Sequence, residues 1–388
     1  MTDPLPEFQS PEARAADQLA RLNAILGPDQ ALSSLDDLAR LPVLRKSDLV
    51  RLQSENPPLG GVKTGAVTRL FQSPGPIYEP GGSGHDWWRF GAFLRATGIG
   101  AGDIVQNTFA YHFTPAGAMF ENAAISAGAQ VFAAGPGQSA EQARVAAHIG
   151  TTTYAGTPDF LAVILEKADE LGLDLSRLTK AAVSAGPLFP QMRADYAARG
   201  VTTRQCYATA DVGMIAYESD ALEGLIVDDG CIVEIVTPGT GDRLPDGEIG
   251  EVLVTVLNPD YPLIRFATGD LSAVMPGTSP CGRTNMRIVG WRGRADQSTK
   301  VRGMFIRPEQ VAAIVAAHDA VGKARVEVSN EGGADRIVVR VETTAEDLSA
   351  IAATVREVIK LRAEVVAEVP GSLPNDGIVV EDKRSLDG

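Results

Sequence analysis

The spacing of apolar residues predicts alternating helices and strands along most of the chain. Residues 11–26 place apolar side chains at helical spacing and stop at Gly27-Pro28, a helix-terminating pair. From about residue 84 to residue 300, short apolar runs such as 130–133 alternate with helical stretches such as 159–171. This alternation indicates an α/β fold.

Two later stretches depart from this alternation. Residues 223–257 contain short strands between turns rich in Gly, Pro and Asp, which predicts a β-rich subdomain. The following region changes to a helix, two strands and a second helix, predicted at 308–318, 324–329, 336–342 and 345–364. We therefore predict a large N-terminal α/β domain over residues 1–295 and a small α+β C-terminal domain over residues 296–388.

Composition narrows the class of partner. The 388 residues carry a net charge of −14 at pH 7, whereas a nucleic-acid-binding face is basic, so no nucleic acid partner is expected. The N-terminus lacks a signal-peptide pattern and no run of about 18 apolar residues occurs, so we expect a cytoplasmic protein with no membrane partner. Three scattered cysteines argue against a disulfide framework.

The largest concentration of candidate functional residues lies between residues 262 and 303. A strand is predicted at 263–267, with Thr268-Gly269-Asp270 as a tight turn after it. Gly293-Arg294-Ala295-Asp296 and Lys300-Val301-Arg302-Gly303 follow. An aspartate on such a turn could accept hydrogen bonds from two vicinal hydroxyls, which suits a ribose, and a plain turn aspartate is the alternative interpretation.

This order of motifs resembles the adenylate-forming enzymes and, within that superfamily, the phenylacetate–CoA ligase family. The resemblance extends over about residues 35–385 and includes a Leu-Pro-x-x-x-Lys-x-Asp-Leu pattern at 41–49. It implies the adenylate-forming fold, with a C-terminal domain that rotates about a hinge at Asp296. It also implies ATP/AMP, Mg²⁺ and coenzyme A as cofactors, and relatives of this kind are often homodimers.

The resemblance further implies residues that hold the nucleotide. Asp270 would bind the ribose, Arg294 the ribose or phosphate, and Tyr207 the adenine. Thr209 would replace a hydroxyl that relatives carry one position later, and the turn that contains Gly186-Pro187 would pack against the adenine. A purely structural turn is an equal alternative for Gly186-Pro187.

Three residues would take catalytic roles by the same resemblance: Asp211, Arg294 and Lys300. Asp211 stands where relatives carry a glutamate that helps to hold Mg²⁺ near phosphate oxygens. A strand end with a solvated aspartate is the alternative interpretation. Lys300 belongs to the loop that relatives use when the thioester forms.

Two segments are implied to line the pocket for a carboxylic acid. One contains Tyr111, His112 and Phe113, and the other contains Tyr154 and Gly156. Aromatic side chains there would suit a flat, apolar acid. A lone histidine is more often a satisfied, half-buried residue, which is the alternative for His112.

Two departures from the family concern adenylation. The Ser/Thr/Gly-rich loop that cradles the phosphates of ATP corresponds to residues 71–84, where three prolines remove amide donors and Glu79 adds a negative charge. Ile378 stands where relatives carry the adenylating lysine, with Lys383 as a candidate stand-in. A cysteine pair of many relatives is reduced to Cys281, so no structural zinc is predicted.

The leading hypothesis is an enzyme, an AMP-forming acid–CoA ligase acting on an aromatic or other apolar carboxylic acid, with that acid and CoA as its small-molecule partners. The altered phosphate loop supports an alternative, a ligase-derived protein that binds AMP, acyl-AMP or a CoA thioester without ATP-dependent adenylation. A third option is a pseudoenzyme that only scaffolds a partner.

Overall fold

A computed structural model describes residues 10–62, 64–73, 76–295, 297–331, 334–374 and 378–384. The chain divides into two compact units, Met1–Trp291 and Arg292–Gly388. The domain boundary predicted at 295/296 falls just inside the second unit and stays a prediction. Asp296, the predicted hinge, lies outside the described residues.

The α-helices of the described residues are α1 (Pro11–Leu26), α2 (Lys46–Glu55), α3 (Gly91–Ala96), α4 (Ala116–Ser126), α5 (Ser139–Ile149), α6 (Pro158–Glu170), α7 (Pro190–Ala198), α8 (Pro308–Ala316) and α9 (Ser349–Ile359). Short 3₁₀ helices occupy Pro28–Gln30 and Leu35–Arg40.

The strands are β1 (Leu44–Arg45), β2 (Arg69–Ser73), β3 (Ile77–Gly81), β4 (Ile104–Asn107), β5 (Gln130–Ala133), β6 (Thr153–Gly156), β7 (Lys180–Val183), β8 (Thr202–Thr209), β9 (Gly213–Tyr217), β10 (Leu225–Val227), β11 (Cys231–Val236), β12 (Gly250–Val256), β13 (Phe266–Ser272), β14 (Val274–Met275), β15 (Arg287–Ile288), β16 (Thr299–Val301), β17 (Met304–Ile306), β18 (Val321–Glu331), β19 (Ala334–Thr343), β20 (Glu364–Glu368) and β21 (Val380–Asp382).

Local sequence sets the ends of α1 as predicted. The Ser10 hydroxyl accepts the amide of Ala13 at 3.2 Å, and Pro11 occupies the first turn, where its missing N–H costs nothing. Gly27 follows with φ +81°, a conformation that favours glycine, and ends the helix. The predicted helix over 11–26 is confirmed.

The main sheet of the first unit has strand order β14-β15-β10-β9-β8-β7-β6-β4-β5, and its strands from β8 to β5 run parallel. Successive residues of β6 point to opposite faces, so Tyr154 packs with Leu161 of α6 while Ala155 packs with Phe120 of α4. Helices therefore cover both faces, as expected for parallel strands. The predicted α/β fold is confirmed.

The order of the parallel strands reverses at β4. This strand pairs with β5 on one side and with β6 on the other, although β5 precedes β6 in the chain. The carboxyl ends of two strands flanking such a reversal leave a crevice in which open α/β sheets bind ligands. The segment after β4 and the strand β6 itself carry the residues predicted to bind the acid.

The β-rich subdomain forms a second sheet in the order β1-β13-β12-β11. The structure corrects the predicted strand over 263–267 and the turn after it, because β13 runs from Phe266 to Ser272 and contains Thr268-Gly269-Asp270. Ala267 pairs with Leu253 and Leu271 with Glu251, so three residues of β13 lie opposite Val252 alone. The segment is thus a bulge, which glycine permits at Gly269 with φ +74°.

The second unit is α+β. It contains the hairpin β16-β17 and a four-stranded sheet in the order β20-β19-β18-β21, with Val326, Val339 and Ile351 in its core. The helix predicted over 345–364 is too long, because α9 ends at Lys360 in a left-handed conformation (φ +59°) and β20 follows. Among the described residues, no helix has both the length and the hydropathy needed to cross a bilayer.

Candidate active site

Asp270 lies at the centre of a buried group of hydrogen bonds in the first unit. The Tyr207 hydroxyl donates to Asp270 Oδ2 at 2.8 Å, and the Trp291 indole N–H donates to Asp270 Oδ1 at 3.1 Å. Thr268 Oγ1 accepts the Asp270 amide at 3.1 Å. We call Tyr207, Thr268, Asp270 and Trp291 the Asp270 cluster. Both carboxylate oxygens have donors, and an ionised carboxylate retains lone pairs for more.

Two bulges bring this cluster together. The register of β8 against β9 shifts between Tyr207 and Ala208, and that of β12 against β13 shifts beside Thr268-Gly269-Asp270. A bulge redirects the side chain next to it, and both sit where a predicted ligand residue stands. Tyr207 and Asp270 are 63 residues apart in the chain, and the structure places them in direct contact.

The other residues predicted near the adenine surround the ends of β7 and β8. The Ser184 hydroxyl donates to the Cys206 carbonyl at 3.1 Å, which joins the end of β7 to β8. Gly186 and Pro187 follow in a partly exposed turn, after Ala185 in a left-handed conformation. Thr209 Oγ1 accepts the Val212 amide at 3.4 Å. Their contacts with an adenine stay predictions.

Asp211, the predicted metal ligand, forms an ion pair that the sequence did not indicate. Lys46 Nζ lies 2.9 Å from Asp211 Oδ2, and the Asp211 side chain is almost fully buried. Asp211 Oδ1 has no hydrogen-bond partner among the described residues. Lys46 starts α2, and Gln53, two turns later on the same face, fixes β3 through the backbone of Tyr78 at 2.7 and 2.8 Å.

Glu79 of β3 completes a second group of carboxylates. Its Oε2 accepts the Ser73 amide at 3.1 Å across the β2–β3 hairpin, while its Oε1 has no partner among the described residues. Burial, and then the negative charge of Asp211, raise the pKa of Glu79 to about 7. We call Lys46, Ser73, Glu79 and Asp211 the Glu79 cluster.

The first predicted acid-binding segment lies after β4, at the strand-order reversal. The Asn107 amide donates to the Tyr111 hydroxyl at 2.8 Å, and burial raises the pKa of Tyr111. His112 is exposed, so the half-buried alternative for it is wrong. Phe113 is 70% exposed at φ +61°, and its carbonyl accepts the Gln72 amide of the β2–β3 hairpin at 2.8 Å. An exposed aromatic ring beside this hairpin is available to a ligand.

The second segment is part of the core of the first unit. Tyr154 is 1% exposed, and its hydroxyl donates to the Thr157 carbonyl at 2.8 Å and accepts from Thr108 at 3.1 Å. A Cβ on Gly156 would lie 2.0 Å from Thr108 Oγ1 and 2.2 Å from the Tyr154 hydroxyl oxygen. Both residues thus have a packing role here, and their contact with an acid stays a prediction.

The remaining predicted residues belong to the second unit. Arg294 and Lys300 both lie about the Phe305 ring, with the guanidinium carbon and the ammonium nitrogen each 5.8 Å from its centroid. Ile378 is 37% exposed. Lys383, the candidate stand-in for the adenylating lysine, forms an ion pair with Glu327 at 2.8 Å.

Sequence analysis missed three residues at these clusters. Lys46 falls inside the Leu-Pro-x-x-x-Lys-x-Asp-Leu pattern, so its place in a motif was the available signal. Trp291 stands between the two motifs of the 262–303 region and has no distinguishing pattern of its own. Ser73 donates its backbone amide to Glu79, and its hydroxyl also acts on that carboxyl group, but no sequence pattern marks either contact.

Comparisons with known proteins support the resemblance that the motifs predict. The family described as AMP-binding enzyme matches residues 87–256. A phenylacetate–coenzyme A ligase of Aromatoleum evansii is 29% identical over 82% of this chain and 75% of its own length. A phenylacetate–coenzyme A ligase of Escherichia coli strain K12 is 28% identical over 81% of this chain and 75% of its own length.

Solved structures share the architecture. A 2-hydroxyisobutyryl-CoA ligase in complex with 2-HIB-AMP and CoA superposes with a TM-score of 0.79 at 23% identity, over 98% of this chain and 92% of that one. The amide bond synthetase McbA from Marinactinospora thermotolerans gives 0.57 at 17% identity, over 80% and 66%. At these identities the likeness shows the fold alone.

The family match over residues 87–256 and the shared architecture support the predicted resemblance to adenylate-forming enzymes. Its sequence is similar to phenylacetate–CoA ligases at 26–29% identity, in agreement with the resemblance predicted from the motifs between residues 262 and 303. The relatives also support the prediction of an enzyme of the AMP-forming acid–CoA ligase class.

Proposed function

We propose that this chain joins an aromatic or other apolar carboxylic acid to coenzyme A, with ATP consumed and AMP released. The observation that carries the proposal is the Asp270 cluster, a buried carboxylate held in place by Tyr207 and Trp291. Such a fixed acceptor suits the two vicinal hydroxyls of a ribose, because no side chain must be ordered when the ligand binds. Similarity to phenylacetate–CoA ligases supports the choice of acid.

The reaction has two halves. In the first, a carboxylate oxygen of the acid attacks the α-phosphorus of ATP, which gives acyl-AMP and releases pyrophosphate. In the second, the thiol of CoA attacks the acyl carbon, loses its proton, and expels AMP. Asp270 would hold the ribose in both halves, with the Tyr207 ring and the turn at Gly186-Pro187 against the adenine.

The acid would lie at the reversal of strand order after β4. Phe113 supplies an exposed aromatic face there, and Tyr111 supplies a hydroxyl held by Asn107. An apolar acid would bury its ring against these side chains, and the adjacent His112 is accessible for a polar contact. Tyr154 and Gly156 would support this wall from the core.

Mg²⁺ at Asp211 is part of the proposal. Lys46 already bonds Asp211 Oδ2, so Oδ1 is the oxygen that remains for a metal. Mg²⁺ commonly takes one or two protein carboxylates and completes its ligands with phosphate oxygens and water, so one oxygen fits that pattern. The ion would neutralise phosphate charge.

The second unit would serve the thioester-forming half. Arg294 and Lys300 supply two cations beside Phe305, which could contact the phosphates of AMP or CoA. Asp296 would be the hinge.

A second candidate function has its own observation. Glu79 places a carboxylate on the hairpin that corresponds to the phosphate loop, and its oxygen already accepts the Ser73 amide. A protein that binds AMP or acyl-AMP, and does not adenylate with ATP, would tolerate this arrangement. The two candidates share the Asp270 cluster and differ in the use of ATP.

The test is an assay of the purified full chain with ATP, Mg²⁺, CoA and a panel of aryl and alkyl acids. Release of AMP and formation of a thioester, both dependent on the acid, would support the ligase. AMP binding without turnover of any acid, together with thioester formation from a supplied acyl-AMP, would support the second candidate. Absence of nucleotide binding would contradict both.

A further inference from the structure

The hairpin β2–β3 carries a buried carboxylate, that of Glu79. Ser73 ends β2 and Glu79 lies in β3, and the Ser73 amide donates to Glu79 Oε2 at 3.1 Å. Backbone amides at the end of a turn are the donors that bind phosphate oxygens in many proteins. Here a side chain of the protein already uses one of them. Glu79 is 1% exposed, so this carboxylate is an internal group.

The charges around Glu79 are unbalanced. Asp211 faces it from the β8–β9 turn, and Tyr261 faces both carboxylates from the segment before β13. Lys46 of α2 is the cation that acts on Glu79, and it is bonded to Asp211. Two buried carboxylates therefore share one ammonium group. Glu79 Oε1 and Asp211 Oδ1 each lack a hydrogen-bond partner among the described residues.

We propose that Glu79 is a specificity-determining residue, which makes the nucleotide site prefer a nucleoside monophosphate, AMP or the AMP part of an acyl adenylate, to ATP. The inference deepens the proposed function and rests on it, since it assumes that the Asp270 cluster holds the nucleoside. Asp270 accepts from the neutral donors Tyr207 and Trp291, whereas the Glu79 cluster holds two carboxylates about one ammonium group.

The electrostatic argument gives the expected size of the preference. AMP brings one phosphate, whereas ATP brings two more and about two additional negative charges. A fixed charge a few ångströms away in a partly desolvated site changes binding by at least about tenfold for each opposing charge. The extra phosphates would also meet an amide that Glu79 already occupies. Both effects act on ATP and leave AMP nearly unchanged.

The experiment is calorimetric titration of the full chain with AMP and with ATP, each with and without Mg²⁺, at pH 8, where Glu79 is ionised. In the wild-type chain we expect AMP to bind at least about tenfold more tightly than ATP. Glu79→Gln removes the charge and keeps an oxygen that accepts the Ser73 amide. We expect it to strengthen ATP binding about tenfold or more while AMP binding changes by less than about threefold.

Asp86→Asn is the matched control. Asp86 is also a largely buried acid that accepts one backbone amide, from Gly91 at 2.8 Å, and its other oxygen also lacks a partner among the described residues. Burial raises its pKa as well, to about 6. Because the charges acting on Asp86 come from Asp228, Arg89 and Arg95, outside the Glu79 cluster, D86N should leave the ratio of ATP affinity to AMP affinity unchanged.

Each outcome decides a point. If the wild type binds AMP and ATP with equal affinity, the inference is wrong whatever the variants show. A poorly folded Glu79→Gln protein would therefore not prevent the test. An unchanged ATP-to-AMP ratio in Glu79→Gln, or the same change in Asp86→Asn, would also overturn it and leave the proposed function standing. Binding of ATP without binding of AMP would overturn the inference alone, whereas failure of both nucleotides to bind the wild type would overturn the proposed function and, with it, the inference.

Discussion

The Asp270 cluster and the Glu79 cluster belong to the same unit and both bury carboxylates. They differ in how many hydrogen-bond donors each carboxylate receives. Asp270 receives a donor on each oxygen, from Tyr207 and Trp291. Among the described residues, Glu79 accepts from Ser73 alone and faces a second carboxylate, Asp211. A buried polar atom without a partner costs about 1–3 kcal/mol, so the second arrangement carries a folding penalty that the first avoids.

The difference indicates that the Glu79 cluster is the one that responds to the charge of a ligand. A satisfied carboxylate is rigid and can accept from neutral hydroxyls with little reorganisation. An unsatisfied pair of carboxylates persists only where the surrounding fold enforces it, and such groups concentrate at functional sites. The four predictions below test whether the two clusters differ in stability and in nucleotide binding as this comparison requires.

The largest expected effect is on the pH dependence of stability, which Glu79→Gln should change. The pKa of Glu79 rises from 4.5 to about 7 in the fold, so the folded state holds a proton that the unfolded state has lost between these values. Stability of the wild type should therefore fall as pH rises from about 4.5 to about 7, by about 3 kcal/mol at most. Glu79→Gln should lack this fall, as measured by urea unfolding at pH 5 and pH 8.

Asp270→Asn is the matched variant for that experiment. Its carboxylate is already satisfied, so replacing it should give no gain at pH 8. Parallel stability curves for Glu79→Gln and the wild type, or an equal gain in Asp270→Asn, would contradict the distinction between the two clusters.

The second prediction concerns nucleotide affinity. Asp270→Asn should weaken AMP binding by about 10-fold to 100-fold, because hydrogen bonds to a charged acceptor contribute about 1.5–3 kcal/mol. Calorimetric titration with AMP measures it. Asp260→Asn is the control, since Asp260 accepts the Trp87 indole at 3.1 Å, as Asp270 accepts that of Trp291. An equal loss of affinity in Asp260→Asn would mean that general destabilisation is the cause.

The third prediction concerns Lys46→Met. Removal of the ammonium leaves Asp211 and Glu79 without their shared cation, so the protein should lose about 1–2 kcal/mol of stability at pH 8. The value is kept low because Lys46 is 40% exposed and its charge is partly screened. The double variant Lys46→Met with Asp211→Asn should regain part of the loss. A double variant no more stable than Lys46→Met would rule out the pairing.

The smallest effect is expected for Trp291→Phe. The ring volume is largely retained, but Asp270 Oδ1 loses its indole donor, so AMP affinity should fall by about threefold to tenfold, the effect of roughly one hydrogen bond. Trp87→Phe removes an equivalent bond to Asp260 and should leave AMP affinity within about twofold. Equal effects on AMP affinity in the two variants would show that Trp291 has no specific role in nucleotide binding.

The fold was largely predictable from the sequence because its signals are local. The helix over 11–26 and the strand over 130–133 follow from apolar spacing and from their terminating residues, and both match the structure. The helix over 345–364 was predicted too long because propensity alone does not show that Lys360 adopts a left-handed conformation and ends it.

The site was predictable only in part. Tyr207 and Asp270 were identified from motifs, and the structure brings them together. Tyr154 was expected to line a pocket, but its place on the α6 side of the sheet depends on the strand register, which no motif reports. Lys46 lies 165 residues from Asp211, so its role emerges only when α2 packs beside the β8–β9 turn.

The sequence by itself determined the alternation of helices and strands, the motif order between residues 262 and 303, and the presence of an unusual acid in the phosphate-loop segment. These properties depend on neighbours within a few residues, so the chain order contains them. Only the tertiary structure decided that Trp291 completes the shell of Asp270 and that Glu79 and Asp211 compete for Lys46. Hydrogen bonds and charges act over a few ångströms in space, and the folded backbone alone determines which distant residues come that close.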